Sequence, residues 1–190
     1  MAKSATNKKN KTSEYKKDRD GYWIKSRYLL YRFWYKFLQY AEQDPSRKVD
    51  WSKYPGWGGP AVILNERFET WWGKRWKRLF GVRNKNSKAR FEISNKKARA
   101  GAIKVALVVY EHRHLGNLAI FNTLNSKYKN LASLDRYETD SEGNVIFDAN
   151  GKPRERLIET KYLNQHVKRY LRHSESLLDQ VCKGQFGKSL

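Results

Sequence analysis

Residues 160–183 read TKYLNQHVKRYLRHSESLLDQVCK, and this stretch decides the fold class. Projected at about 100° per residue, Leu163, Val167, Tyr170, Leu171, Ser174, Leu178 and Val181 fall on one side. Lys161, Gln165, Lys168, Arg169 and Arg172 fall largely on the other. The spacing predicts one long amphipathic helix, with Gly184 suited to its end. Its first half is basic, and Asp179 comes in the second half. Arg and Lys bond guanine O6 and N7 in the major groove, and Gln bonds adenine N6 and N7. The polar face thus carries the residue types of a recognition helix. An ordinary solvated helix shows such a face as well, so the rest of the chain has to decide.

Upstream, residues 101–114 (GAIKVALVVYEHRH) hold four β-branched residues, so helix and strand compete. Ile103, Ala106, Leu107 and Tyr110 share one helical face, which favours helix. Leu115-Gly116-Asn117 is a turn, and residues 118–125 read as a short helix with Asn117 as cap. Helix, glycine-containing turn and short helix is the opening of a helix-turn-helix. Within residues 137–157, turn signals at 140–144 and 150–151 bracket Val145-Ile146-Phe147, which predicts a β-hairpin placed like a wing. Its acids Glu138, Asp140 and Glu142 argue that its tip does not face phosphates.

The N-terminal half has a different texture. Residues 22–43 read as a helix, with Trp23, Leu30, Trp34, Phe37 and Ala41 at helical spacing. The run Pro55-Gly56-Trp57-Gly58-Gly59-Pro60 reads as a turn-rich loop. Residues 65–80 (NERFETWWGKRWKRLF) read as a second helix, with Asn65 at the cap and Gly81 after the end. Gly73 inside it predicts close packing of another backbone. A helix lying on a membrane surface is the rival reading of this stretch.

Charge joins these parts. Lys plus Arg total 40 and Asp plus Glu 19, a formal charge of +21 that calls for a polyanionic partner. Residues 1–20 hold seven Lys/Arg against three acids and read as a basic tail, disordered alone, with Lys8, Lys9 and Lys11 able to settle on phosphates. Residues 82–100 hold seven Lys/Arg and one Glu and read as a basic linker. Lys85, Lys88, Arg90, Lys96 and Lys97 are its candidate phosphate contacts. Seven Trp and twelve Tyr are too many for a disordered polycation, so the charges lie on a folded core. No stretch approaches ~18 consecutive apolar residues, no apolar run follows the N-terminal lysines, and Cys182 is the single cysteine. The expectation is a cytoplasmic chain without a membrane partner.

The chemistry-bearing residues give weaker signals. His112 and His114 lie about 200° apart on a helix, so they do not converge on a metal. Asp148 followed by Glu159-Thr160-Lys161, with Arg156-Leu157-Ile158 as a short strand, resembles the PD-(D/E)xK nuclease core over about a dozen residues. The proline before the first acid is missing. That resemblance implies a divalent ion on the two carboxylates and a charge-stabilising lysine. The blander account places Glu159 and Thr160 at the start of the long helix. Phosphate-loop, dinucleotide-turn and nucleophile-elbow motifs are absent from the sequence.

The expected fold is mainly α: an aromatic-rich helical region over 21–81, then a helix-turn-helix-like unit over 101–190 with an inserted β-hairpin. The expected function is non-enzymatic, cofactor-free binding of nucleic acid, DNA before RNA. A regulator or a mobile-element or phage protein fits, nucleoid-associated or within a nucleoprotein complex. The alternatives are an RNA-binding subunit of a ribonucleoprotein and the metal-dependent nuclease.

Overall fold

Why the residues form these elements follows from a computed structural model that describes residues 15–25, 28–84, 86–93, 99–127, 140–142, 144–154 and 160–187. Over these the protein is mainly helical, with six α-helices, a 3₁₀ turn and a two-stranded ribbon. The chain divides into two compact units, Met1–Ser94 with Cys182–Phe186, and Asn95–Val181 with Gly187–Leu190.

The N-terminal unit opens with β1 (Tyr15–Lys17) and β2 (Trp23–Lys25), antiparallel, with Lys16 opposite Ile24. The Asp18 carboxylate accepts from the Tyr22 backbone N–H at 2.7 Å and closes the turn. Two expectations change here. Residues 15–17 belong to a ribbon rather than to a tail, and the helix expected from residue 22 begins only at Tyr28. Trp23 instead exchanges two backbone bonds with Val82, at 2.7 and 2.9 Å. Non-local pairing of the Tyr22-Trp23-Ile24 run wins over a helical period, as suits aromatic and β-branched residues. The expected tail residues before 15 lie outside the described set.

Helix α1 (Tyr28–Gln43) buries Leu30, Tyr31, Phe33, Trp34, Tyr35, Phe37, Leu38 and Ala41. It stops before Asp44-Pro45, because proline has no N–H to continue the ladder. Bonds from Ser46 to the Asp44 carboxylate hold that acid below the usual range. Part of the expected loop is helix α2 (Gly59–Asn65). Gly58 caps it in the left-handed region at φ 104°, and a Cβ there would stand 2.8 Å from Val62 Cγ1. Proline just inside the start suits a helix, which the glycine-rich run concealed. Asn65 therefore ends α2 instead of capping α3 (Phe68–Leu79).

Trp57 is the hub of this unit. It is fully buried and lies within 6 Å of the rings of Trp34, Tyr54, Trp71, Phe80 and Phe91. Its backbone carbonyl accepts from Trp71 Nε1 at 2.8 Å, and Trp34 Nε1 donates to the Tyr54 hydroxyl at 3.1 Å. The Tyr35 hydroxyl donates to Glu66 O at 2.7 Å, near the end of α2, while Gln39 donates to Ile63 O. Burial, with the Glu66 charge second, pushes the Tyr35 hydroxyl up to about 12. Gly73 corrects another expectation. Among the described residues nothing lies within 4 Å of the Cβ it lacks, so none of their backbone packs there, and the helix still carries a cost of roughly 0.5–1 kcal/mol relative to Ala.

The expected linker also begins inside this unit. Val82, Phe91 and Ile93 are buried, and the Phe91 N–H donates to Leu79 O at 2.9 Å. Between them Asn84, Asn86, Ser87, Lys88 and Arg90 are exposed.

The C-terminal unit is built from α4 (Ala100–Glu111), α5 (Asn117–Lys127) and α6 (Thr160–Cys182). Val105, Val108 and Val109 of α4 pack with Ile120, Phe121 and Leu124 of α5 and with Leu163 and Val167 of α6. Tyr170 and Leu171 extend that cluster along α6. The α4–α5 turn is fixed by His112 Nδ1 against Val108 O at 2.8 Å and by the Leu115 N–H to His112 O. The Asn117 amide donates to Asn164 Oδ1 at 2.7 Å and ties the start of α5 to α6. Between α5 and α6, Phe147 pairs with Pro153 in an antiparallel bridge, flanked by bonds from Asp148 to Lys152 and from Arg154 to Ile146.

Candidate nucleic-acid interface

The back of α6 is the apolar face. Leu163, Val167, Ser174, Leu177, Leu178 and Val181 are buried. The one buried polar side chain among them, Ser174, turns its hydroxyl onto Tyr170 O and Leu171 O. That packing fixes the rotation of the helix, and rotation decides which residues meet solvent. Gln165, Lys168, Arg169 and Arg172 are all exposed. They follow i, i+3, i+4, i+7 spacing and so form one stripe, about 11 Å long at 1.5 Å per residue. Glu175 and Asp179 continue it toward the C-terminus with the opposite sign. Lys161 is in the first turn of α6, and its side chain lies outside the described set.

Lys168, Arg169 and Arg172 make no ion pair among the described residues. The first turn of α6 holds no acid. A helix on its own favours acids at its start and bases at its end. The basic half of α6 stands at the wrong end for that preference, so local helix stability does not explain it.

Two histidines flank the stripe. His166 and His173 are half-buried, and desolvation, with the Arg169 charge second, lowers the pKa of each. His166 Nε2 is buried without a hydrogen-bond partner, and its ring stands edge-on to Tyr170 at 5.0 Å. Both features favour the neutral ring.

Other expected contacts fall elsewhere. Lys88 and Arg90 are exposed on the N-terminal unit, on the segment anchored by Phe91 and Ile93. Lys8, Lys9, Lys11, Lys85, Lys96 and Lys97 lie outside the described residues. Among the described residues the set thus divides between the two units, and the α6 stripe is brought together by one element.

Of the nuclease resemblance, Asp148 and Lys161 lie within described elements, and the expected strand Arg156-Leu157-Ile158 lies outside the described residues. Lys161 belongs to α6 and not to a strand. The Asp148 carboxylate accepts from the Asn150 and Lys152 backbone N–H groups, each at 2.9 Å, and serves the hairpin turn. Glu159 lies outside the described residues. Among the described residues no group of three or more His, Cys, Asp or Glu side chains converges on a metal position. None of their helices is long and apolar enough to cross a membrane.

Sequence reasoning missed a second arrangement of charge, on α3 and the ribbon. Arg83 lies over the Tyr22 ring at 4.7 Å and donates to its hydroxyl at 3.0 Å. Lys77 pairs with Asp20 and Asp18 and stands 5.9 Å from the Tyr22 and Trp76 rings. Tyr22 had been absorbed into a single long helix, and only strand pairing separates it. No protein-family model, curated protein or solved structure matches this chain.

Proposed function

We propose that this protein binds nucleic acid without catalysing a reaction, with duplex DNA as its preferred partner. The α4–α5–α6 core acts in this reading as a helix-turn-helix-like support, and the Gln165–Lys168–Arg169–Arg172 stripe of α6 enters the major groove. The basic segments carrying Lys8, Lys9, Lys11, Lys85, Lys88, Arg90, Lys96 and Lys97 add phosphate contacts. Work in the cytoplasm, at a nucleoid or within a nucleoprotein complex, fits such a protein.

One observation carries the reading. A basic stripe stands in solvent without ion-pair partners among the described residues, on a helix whose rotation an aliphatic core fixes. The formal charge of +21 supports it, because an excess that large is neutralised by a polyanion. Side chains positioned by a packed helix read base edges more reliably than side chains on a tail.

The test is a titration of a labelled DNA duplex across a range of salt. Replacing Lys168, Arg169 and Arg172 together by Ala should weaken binding and flatten the slope of log K against log salt by roughly 2.7, if each neutralises one phosphate. Replacing Lys8, Lys9 and Lys11 together should cost less affinity. The reverse order, or tight binding indifferent to salt, removes the recognition-helix assignment. Competition by single strands and structured RNA ranks the partners, and Mg²⁺-dependent cleavage lost on Glu159→Gln would establish the nuclease instead.

A further inference from the structure

We infer that the N-terminal unit carries a second, separate nucleic-acid surface: a stacking platform for unpaired bases, formed by Tyr22, Trp76, Trp72 and Tyr28. It shares with the proposed function only the class of partner. It lies in the other unit and uses none of the α6 residues.

The four rings form a continuous strip. Tyr22 meets Trp76 at 6.4 Å, Trp76 stacks on Trp72 at 6.3 Å with planes 13° apart, and Trp72 meets Tyr28 at 5.2 Å. Behind the strip, Trp72 rests on Phe80 at 5.2 Å and on Tyr31 at 5.5 Å. The hub indoles Trp57 and Trp71 are fully covered, whereas Tyr22, Trp72 and Trp76 are half-buried and Tyr28 is 43% exposed. These rings are the outer layer of the aromatic cluster, and solvent reaches them.

The two indoles of the strip also differ from most of the others in their N–H groups. The indole N–H groups of Trp34, Trp51 and Trp71 all donate within the protein. Those of Trp72 and Trp76 have no acceptor among the described residues, as is also true of the fully buried Trp57, but theirs belong to rings that solvent reaches. A phosphate or base oxygen would supply one. Arg83 over the Tyr22 ring and Lys17, 5.6 Å from Trp23 on the same ribbon, are the cations at the edge of the strip, while Lys77 beside Tyr22 and Trp76 is matched by Asp18 and Asp20. Half-exposed rings with basic residues at their edges are the arrangement that holds single strands, since every base has a π-face and the backbone is anionic.

Gly73 is the independent observation. By helical spacing it lies one turn before Trp76 and Lys77. It is exposed, its Cβ would touch nothing among the described residues, and it weakens the helix that holds the strip. No contact among the described residues accounts for it. A ligand lying along the strip would, because a long side chain at this position could reach over the Trp76 ring.

The test measures binding of labelled oligothymidylate and oligouridylate to the full chain, with a duplex and an abasic strand of equal length as controls. Trp76→Ala and Tyr22→Ala should each weaken single-strand binding about fivefold or more. They should leave the duplex and the abasic strand nearly unchanged. Gly73→Gln removes no ring and improves helix propensity. Its melting temperature should not fall, yet it should weaken single-strand binding as well. Lys168→Ala with Arg169→Ala should show the opposite selectivity, so failure of one surface is distinguishable from failure of the other. Unchanged single-strand affinity in all three N-terminal variants overturns the inference. So does equal loss toward the abasic strand, which would mean charge alone. Vesicles of phosphatidylcholine and phosphatidylserine test the competing occupant. Vesicle binding lost in the same variants, with oligonucleotide binding intact, would assign the strip to a membrane surface.

Discussion

Helices α3 and α6 are both amphipathic and both basic, yet they handle charge in opposite ways. In α3, Glu69 stands in the first turn and Lys77 and Arg78 in the last, the order the helix dipole favours. Its bases are engaged: Lys74 and Arg75 with Glu66, Lys77 with Asp18 and Asp20, and Arg78 with Gly56 O. In α6 the order is reversed and the stripe's bases have no ion-pair partner among the described residues. The cores differ in parallel. The N-terminal unit interlocks aromatic rings around Trp57, and the C-terminal unit packs Val, Ile and Leu with Phe121. The lesson is that net charge alone does not locate an anion surface. Bases already matched to acids and to the dipole serve the fold, and bases matched to neither stand ready for a ligand.

The largest effect that sharpens this contrast is in the cores. Trp57→Ala should destabilise the N-terminal unit by about 3–5 kcal/mol, read as a shift of its unfolding transition by tryptophan fluorescence or near-ultraviolet circular dichroism. Leu124→Ala should cost about 2–5 kcal/mol in the C-terminal unit, read by far-ultraviolet circular dichroism. If Trp57→Ala costs no more than an exposed substitution, the ring network is not what holds that unit. A smaller cost is expected at the α2 cap. Gly58→Ala forces a side chain into the left-handed region and against Val62, and should lower stability by about 1–3 kcal/mol.

Charge removal comes next in size and probes the helices directly. Arg75→Ala leaves Glu66 with the exposed Lys74 and should reduce stability. Arg172→Ala breaks no ion pair among the described residues and should leave stability within about 0.5 kcal/mol of the parent. Its effect should appear in DNA affinity instead. A stability loss in Arg172→Ala as large as in Arg75→Ala would erase the distinction between the two helices.

This division was only partly legible in the sequence. The bounds of α6 and its buried face follow from an uninterrupted 3.6-residue period with no glycine or proline inside residues 160–182. The solvent stripe is the complement of that face, so Gln165, Lys168, Arg169 and Arg172 were legible with it. The N-terminal unit was harder for a physical reason. Its aromatics are so dense that Tyr22 and Trp23 continue the apolar pattern of α1 across a strand boundary. The bridge from Trp23 to Val82 that breaks the pattern joins residues far apart in sequence. Helix α2 was masked by the glycines that make its start possible, because Gly58 and Pro60 read as a turn until the cap geometry is seen. The strip from Tyr22 to Tyr28 depends on these same non-local arrangements, so residue periodicity did not show it.

The smallest expected effect separates fold from ligand on α6 itself. His166 and His173 have pKa values lowered by desolvation and by Arg169. The unfolded chain binds protons on these rings near pH 6.5, and the folded chain resists them until the pH is lower. The stability that depends on the neutral rings is therefore fully present above about pH 6.5 and lost as the pH falls toward the folded values. DNA reverses the sign for binding. Phosphates near Arg169 would offset its repulsion and favour imidazolium, so affinity should rise a few-fold as the pH falls from 7.5 to 6 while stability declines. Opposed trends in melting temperature and duplex affinity, both reduced in a His166→Gln/His173→Gln variant, would place the DNA against this stripe. Parallel declines would mean that protonation loosens the fold without a nearby phosphate, and would move the duplex contact off α6.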